Sequence, residues 1–285
     1  LAAFILASDI ASADERKAEA SQIVVTGNRA VQAEQTADLA KSITLRPPKD
    51  QPLPRHYQPV CVKIFGLDTE YAELLASRIR DNIRRLKLSV GTTKCQPNSW
   101  VGFVSDSYRS VVQLRKEEPQ MFAQLHDYEI DRVLAGSRAA QAWHALEAKG
   151  VDGKPFNYAE IEIGGVRKTV RVNNQFQTGR LSPTTRVDMM GSIVLFDREL
   201  SSGKTVRQLA DYATFRLLTP VRESLAEPGD IPSILSLFSE IVMPPAGLTE
   251  FDWSYLDAYY KLQRGAQSER VHDATKSAYL KGVGK

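Results

Sequence analysis

The segment from Met189 to Leu218, MMGSIVLFDRELSSGKTVRQLADYATFRLL, constrains the fold more than any other. Ile193 to Phe196 is unbroken apolar, which suits a strand covered on both faces. Ser201, Ser202 and Gly203 then break it. Thr205 and Gln208 have the spacing of a capping box, in which each side chain satisfies a backbone donor at a helix start. Val206, Leu209, Ala210, Ala213 and Leu217 mark one face of the helix that follows, and Pro220 closes it.

From Pro59 the same alternation recurs. VCVKIFG reads as a strand, Asp68 as the N-cap of a helix over Thr69 to Leu86, and SWVGFVSD as a second strand. Tyr108 to Leu125 is amphipathic and interrupted at Pro119, and a short helix is expected from His126 to Leu134. Ala139 to Ala148 reads as a strand. YAEIEIGGVRKTVRV, Tyr158 to Val172, alternates about Gly164-Gly165 as a hairpin does. This order predicts an α/β (α+β) fold with a mixed sheet and packed helices, in a single domain over 59–265. The closing helix is expected to be capped by Thr249 and Asp252, with Phe251, Tyr255, Leu256, Tyr259 and Leu262 as an aromatic packing stripe.

The flanks read differently. LAAFILASDIASADE holds an apolar run followed by Ala11, Ser12 and Ala13, the small-x-small pattern of signal-peptide cleavage, so 1–13 is expected to be a signal remnant. Residues 14–58 are polar and end in RPPKDQPLP, which reads as a flexible linker that adds nothing to the core. Residues 266–285 read as a polar, frayed tail. Within the linker, QIVVTGNRA (Gln22 to Ala30) resembles the IVVTG motif that follows the signal peptide in TonB-dependent outer-membrane receptors. The resemblance is confined to that motif, and the chain has no room for the barrel of those receptors.

Chemistry is conspicuous mainly by what the sequence lacks. The net charge of +3, from 37 basic and 34 acidic residues, does not call for a nucleic-acid partner. RIRDNIRRLK is the one dense basic cluster. Its interleaved apolar residues make it a solvated helix face, with Arg78, Arg80, Arg84, Arg85 and Lys87 as an anionic-surface binder the other reading. His56, His126, His144 and His272 are scattered, and no HExxH, P-loop, dinucleotide or Gly-x-Ser-x-Gly pattern occurs. Cys61 and Cys95 are the only cysteines. Both border predicted strands, so they are expected to pair in an oxidising compartment; the other reading is two buried thiols in a reducing one.

GSIVLFDREL, QLADYATFRLL, SILSLF and LTEFDWSYLDAYY together resemble the layout of uncharacterised exported bacterial proteins with a zincin-like (metallopeptidase-like) order of elements. That resemblance implies a central helix with the zinc-binding HExxH at Ala210, Asp211, Tyr212, Ala213 and Thr214, where neither imidazole stands. It therefore implies a peptidase-like scaffold without zinc, and no metal or cofactor is expected.

The leading expectation is a non-enzymatic exported protein, periplasmic or secreted and without a transmembrane span. It would act on an envelope protein or small ligand through a binding surface. The alternative is a hydrolase with an unrecognised carboxylate site, for which Asp197 and Asp211 are the pair to inspect. Asp197, Asp211, His144 and Asp188 meeting in one wet cleft would favour the enzyme. As a solvated strand end and a helix-surface charge, the two carboxylates should tolerate removal, and Asp211→Ala should be mild.

Overall fold

The computed structural model describes residues 28–45, 51–92, 94–122, 125, 127–172, 184–222, 230–240 and 243–282. The stretch read as a signal remnant, 1–13, and the receptor-like motif up to residue 27 lie outside them. The fold is α/β, as expected. Its axis is strand β7, Thr185–Asp197, which lies in the middle of the sheet. On one side β7 pairs in parallel with β1 (Pro54–Arg55) and β3 (Ser99–Val104), and β3 pairs in parallel with β2 (Val62–Phe65). On the other side it pairs antiparallel with β4, Ala140–Gly150. Being central explains why Ile193 to Phe196 is apolar at every position: side chains on both faces are covered.

One face of the sheet carries most of the core. Val101, Phe103, Ala142, Val194 and Phe196 pack there with helices α2 (Thr69–Arg85), α5 (Val206–Leu218) and α6 (Glu250–Lys261). Both predicted capping boxes form, Thr205 with Gln208 and Thr249 with Asp252. Asp68 is the N-cap of α2 in backbone position, but its side chain makes no capping hydrogen bond. The aromatic stripe of α6 is core: Phe251, Tyr255, Leu256 and Tyr259 are buried.

The opposite face is covered only in part. Helix α3 (Ser107–Glu117), a 3-10 turn at Pro119–Phe122 and helix α4 (Asp127–Val133) pack on Trp143, Ile193 and Leu195. Strands β5 (Asn157–Ile163) and β6 (Val166–Val172) form the expected hairpin, a two-stranded ribbon separate from the main sheet. Gly164 and Gly165 turn it with φ of 59° and 80°, the left-handed region that its tight turn needs.

Both flanks require correction. The stretch read as a linker contains helix α1, 28–43, whose Ala33, Thr36, Ala40 and Ile43 are buried. Leu53 is core as well, and Pro54–Arg55 is strand β1. The predicted frayed tail is helix α7, Arg270–Leu280, with Val271, Thr275, Ala278 and Tyr279 buried. Beside Ile43, Val271 and Tyr279, these two helices bury alanines and threonines, a pattern too poor in large apolar side chains for hydropathy to register. Arg29 pairs with Glu250, Lys276 with Glu34, and Tyr279 with Gln32. Helix α5 departs from expectation in the same sense. Every residue from Leu209 to Leu218 is buried, not one face, because the sheet, α2 and α6 surround it.

Cys61 and Cys95 form a disulfide with Cα atoms 6.1 Å apart, as the sequence leads one to expect. No helix among the described residues is long and apolar enough to cross a membrane.

Candidate functional site

The four groups proposed for a carboxylate site do not meet in one cleft. Asp188 is buried on the central strand, between Arg55 of β1 and Glu147 of β4, with Arg186 at 2.8 Å and Lys149 at 3.5 Å. Asp197 is buried too, accepting hydrogen bonds from the backbone N–H groups of Ser107, Glu199 and Leu200, which tie strand ends together. Asp211, fully buried, takes a two-pronged bond from Arg78 at 2.8 and 3.0 Å, a third from Asn82 at 2.7 Å and a fourth from the Leu248 N–H. Neither Asp197 nor Asp211 is the solvated charge anticipated. Both anchor loops and helices to the core. The basic cluster on α2 is likewise occupied, with Arg78 on Asp211, Arg80 on Glu73, Arg84 on Asp81, and Arg85 stacked 4.0 Å from the Trp253 ring.

A buried Ser-His contact escaped the sequence reading because its members are 136 residues apart: His56 Nε2 lies 2.9 Å from Ser192 Oγ. Nε2 is also 3.2 Å from the Leu217 carbonyl, which can only accept, so that nitrogen carries the proton. A ring holding its proton there is no base for Ser192. No group orients Nδ1, and both residues are sealed from solvent. His144 is held similarly, donating from Nε2 to the Arg216 carbonyl at 2.9 Å.

Burial lowers the pKa of His56 to about 4 and that of His144 to about 3, the latter helped by the positive charges of His56 and Arg216. Burial raises that of Asp252 to about 6, against the donors Ser233, Thr249 and Ile234 that hold its ionised form. The histidines stabilise the fold fully above their unfolded pKa of about 6.5, and that contribution is lost as pH falls towards their folded values. Asp252 acts oppositely: its contribution is complete below about 4 and is lost as pH rises through its folded value. Between about pH 4 and 6 the unfolded chain should therefore bind about one proton more than the folded one, two gained and one lost. Urea unfolding over this range should give that slope, and Asp252→Asn should raise it to about two.

The open part of the sheet holds a concavity of ligand size. A groove of about 790 Å³ crosses β3, β7 and β4 where α3 and the 3-10 turn stop covering them. Its floor is Gly191, Ala145 and Ile193, and its walls are Trp100, Met189, Met190 and Phe65 on the sheet with Leu114 and Met121 opposite. The floor is low because small residues face each other across the strands: Ala145 pairs with Gly191. A Cβ on Gly191 would sit 3.3 Å from the Trp100 ring and 3.6 Å from the Ala145 methyl. At that point a β-bulge shifts the register, pairing Leu146 with Met189 and leaving Met190 as the extra residue, half exposed at the groove. Bulges re-aim side chains in this way.

The Met121 wall is fixed by Trp143, whose Nε1 donates to the Met121 carbonyl at 3.1 Å and whose ring stacks on Phe122. The far rim, Gln96, Pro97 and Asn98, follows directly on the disulfide at Cys95. Asn98 completes the clamp, accepting from the Cys61 N–H at 2.8 Å and donating to the Pro59 carbonyl at 3.0 Å. Reduction should therefore act twice. It should cost roughly 3 to 4 kcal/mol by the chain-entropy model, visible as a lower melting temperature. It should also loosen the rim, which limited proteolysis near Gln96 would detect.

Amides dominate the groove's polar groups: Gln58, Gln96, Asn98 and Gln120, with Glu118 the one ionisable side chain in its lining. Among the described residues no cluster of three His, Cys, Asp or Glu is placed to hold a metal ion. Compared with family models, curated proteins and solved structures, the chain matches none. Nothing in those comparisons attaches it to metallopeptidases or to TonB-dependent receptors.

Proposed function

We propose that the protein is a non-enzymatic, exported binding protein, periplasmic or secreted, that holds a small, neutral, predominantly apolar molecule in the groove over β3, β7 and β4. The observation that carries this reading is the lining itself, in which aromatic and methionine side chains surround a floor of small residues. Its volume falls in the range of small-molecule sites, which are mostly apolar with few polar groups. Three methionines, Met121, Met189 and Met190, give walls that adapt to an irregular guest. The rim amides can donate or accept and carry no charge, which suits a neutral ligand.

Export is supported by the disulfide, which persists in oxidising compartments, and is compatible with the absence of a membrane-spanning helix among the described residues. The non-enzymatic part is supported by the separation of Asp188, Asp197, Asp211 and His144 into different buried networks. The zincin-like resemblance fits the same reading as a scaffold whose helix at Ala210 to Thr214 carries packing residues.

Solvent extraction of the protein purified from an exporting bacterial host, followed by mass spectrometry, tests this proposal. A neutral apolar compound should accompany the wild-type protein and be depleted from Gly191→Leu, whose side chain fills the floor. Equal amounts in both proteins, or no such compound in the wild type, would count against it.

A further inference from the structure

Three of the chain's four methionines, Met121, Met189 and Met190, line the groove, and their exposures differ. Met189 is buried and Met121 half-buried, but Met190 is 46% exposed. The bulge is the reason. Met189 pairs with Leu146 across the strands, whereas Met190 has no partner on β4 and is turned out to the groove mouth, where its sulfur meets solvent. A cation stands fixed beside that sulfur. Lys149 Nζ lies 3.5 Å from Met190 Sδ, held there by Glu147 at 2.8 Å and by the buried Asp188 at 3.5 Å. A thioether is a weak acceptor and gains little from such a donor. The oxygen of a sulfoxide at the same place would gain much more, because oxidation makes this side chain polar.

We propose that Met190 makes binding in the groove sensitive to oxidation: a peroxide converts its thioether to the sulfoxide, and the groove then loses affinity for its apolar guest. The proposal rests on the groove being the binding site. The Sδ lone pair attacks one peroxide oxygen, and an S–O bond forms as the O–O bond breaks. The proton of the attacked oxygen passes to the leaving one, which departs as water or an alcohol; sulfur loses the two electrons that the peroxide gains. The product is polar where the wall was apolar, and its oxygen accepts from Lys149, which draws the end of the side chain towards that ammonium. A guest must then strip water from a polar group to which it offers no hydrogen bond, which disfavours burial. Two thiols acting through a sulfoxide reductase restore the thioether, giving a disulfide and water. Met189 and Met121 are better covered, so Met190 is the sulfur of the groove that reacts first.

Graded treatment of the full chain, disulfide intact, with hydrogen peroxide tests this. Peptide mass spectrometry locates the added oxygen, and titration with a neutral naphthyl dye, read by the dye's own emission, gives the affinity. Affinity should fall at least about fivefold, in step with the fraction of Met190 oxidised. Met190→Leu, a swap of similar volume, should bind like the untreated wild type and keep its affinity under the same treatment. Met243 is 93% exposed and lies outside the groove, so Met243→Leu should lose affinity on oxidation just as the wild type does. Dye binding unchanged when Met190 carries the oxygen would overturn the proposal and leave the groove standing. An equal loss in Met190→Leu, or Met190 spared while Met243 is converted, would overturn it too. No dye binding before treatment would remove the groove and this device together.

Discussion

Asp211→Ala should lower the free energy of unfolding by about 3 to 5 kcal/mol, the cost of removing one partner from a buried ion pair. The carboxylate is wholly buried and is the common acceptor for Arg78, for Asn82 and for the Leu248 N–H. Deleting it strands three donors at once and removes the tie that joins α2, α5 and the loop entering α6. The arginine is about a third exposed, so water can rescue it in part. Asn82 is buried and cannot be rescued so, though Thr214 still accepts from its amide at 3.0 Å. Asp211→Asn keeps an acceptor oxygen and should cost clearly less than the alanine. Urea unfolding of both variants checks this, and equal, small losses would return Asp211 to the mild surface role its sequence suggests.

Removal of everything before Pro59 should have a larger effect still. The deletion takes away α1, Leu53 and β1, and with them the cover over α6 and α7. Ala40, Ile43 and Leu53 belong to the main core, and Tyr259 and Tyr255 lose the Pro54 carbonyl and Thr44 hydroxyl that satisfy their own buried hydroxyls. One buried Ile or Leu cut to Ala already costs about 2 to 5 kcal/mol, and this change removes two such side chains together with their hydrogen bonds. The truncated chain should lose its cooperative thermal transition, or melt many degrees lower. A transition within a degree or two of the full chain would restore the linker reading. Ile43→Ala is the milder companion and should cost a few kcal/mol within the range for buried isoleucine.

These two results bear on where the sequence was readable. Local signals carried through: the capping boxes at Thr205 and Thr249, the Gly164-Gly165 hairpin, the apolar run of the central strand and the pairing of the two cysteines. Each depends on residues close in sequence or on a pairing with no competitor. What failed depended on distant partners. Asp211 and Arg78 are 133 residues apart, and a carboxylate on a helix looks the same in sequence whether it faces water or a guanidinium. Apart from Ile43, helix α1 buries alanines and a threonine, whose hydropathy does not separate it from a polar linker. The groove was invisible for another reason. Its floor arises from Gly191 and Ala145 facing each other across a bulge, a matter of register between strands that no single segment records.

The central claim is that this groove is a binding site, and Trp100 offers a direct readout. It is the tryptophan of the groove wall, whereas Trp143 and Trp253 are buried in other packing contacts. Tryptophan emission should be followed while a neutral naphthyl dye is titrated into wild type, Gly191→Leu and Trp100→Phe. Saturable quenching of the wild type, lost in Gly191→Leu and absent in Trp100→Phe while the dye still binds, is the predicted result. Equal quenching in wild type and Gly191→Leu, or no saturation, would contradict the account.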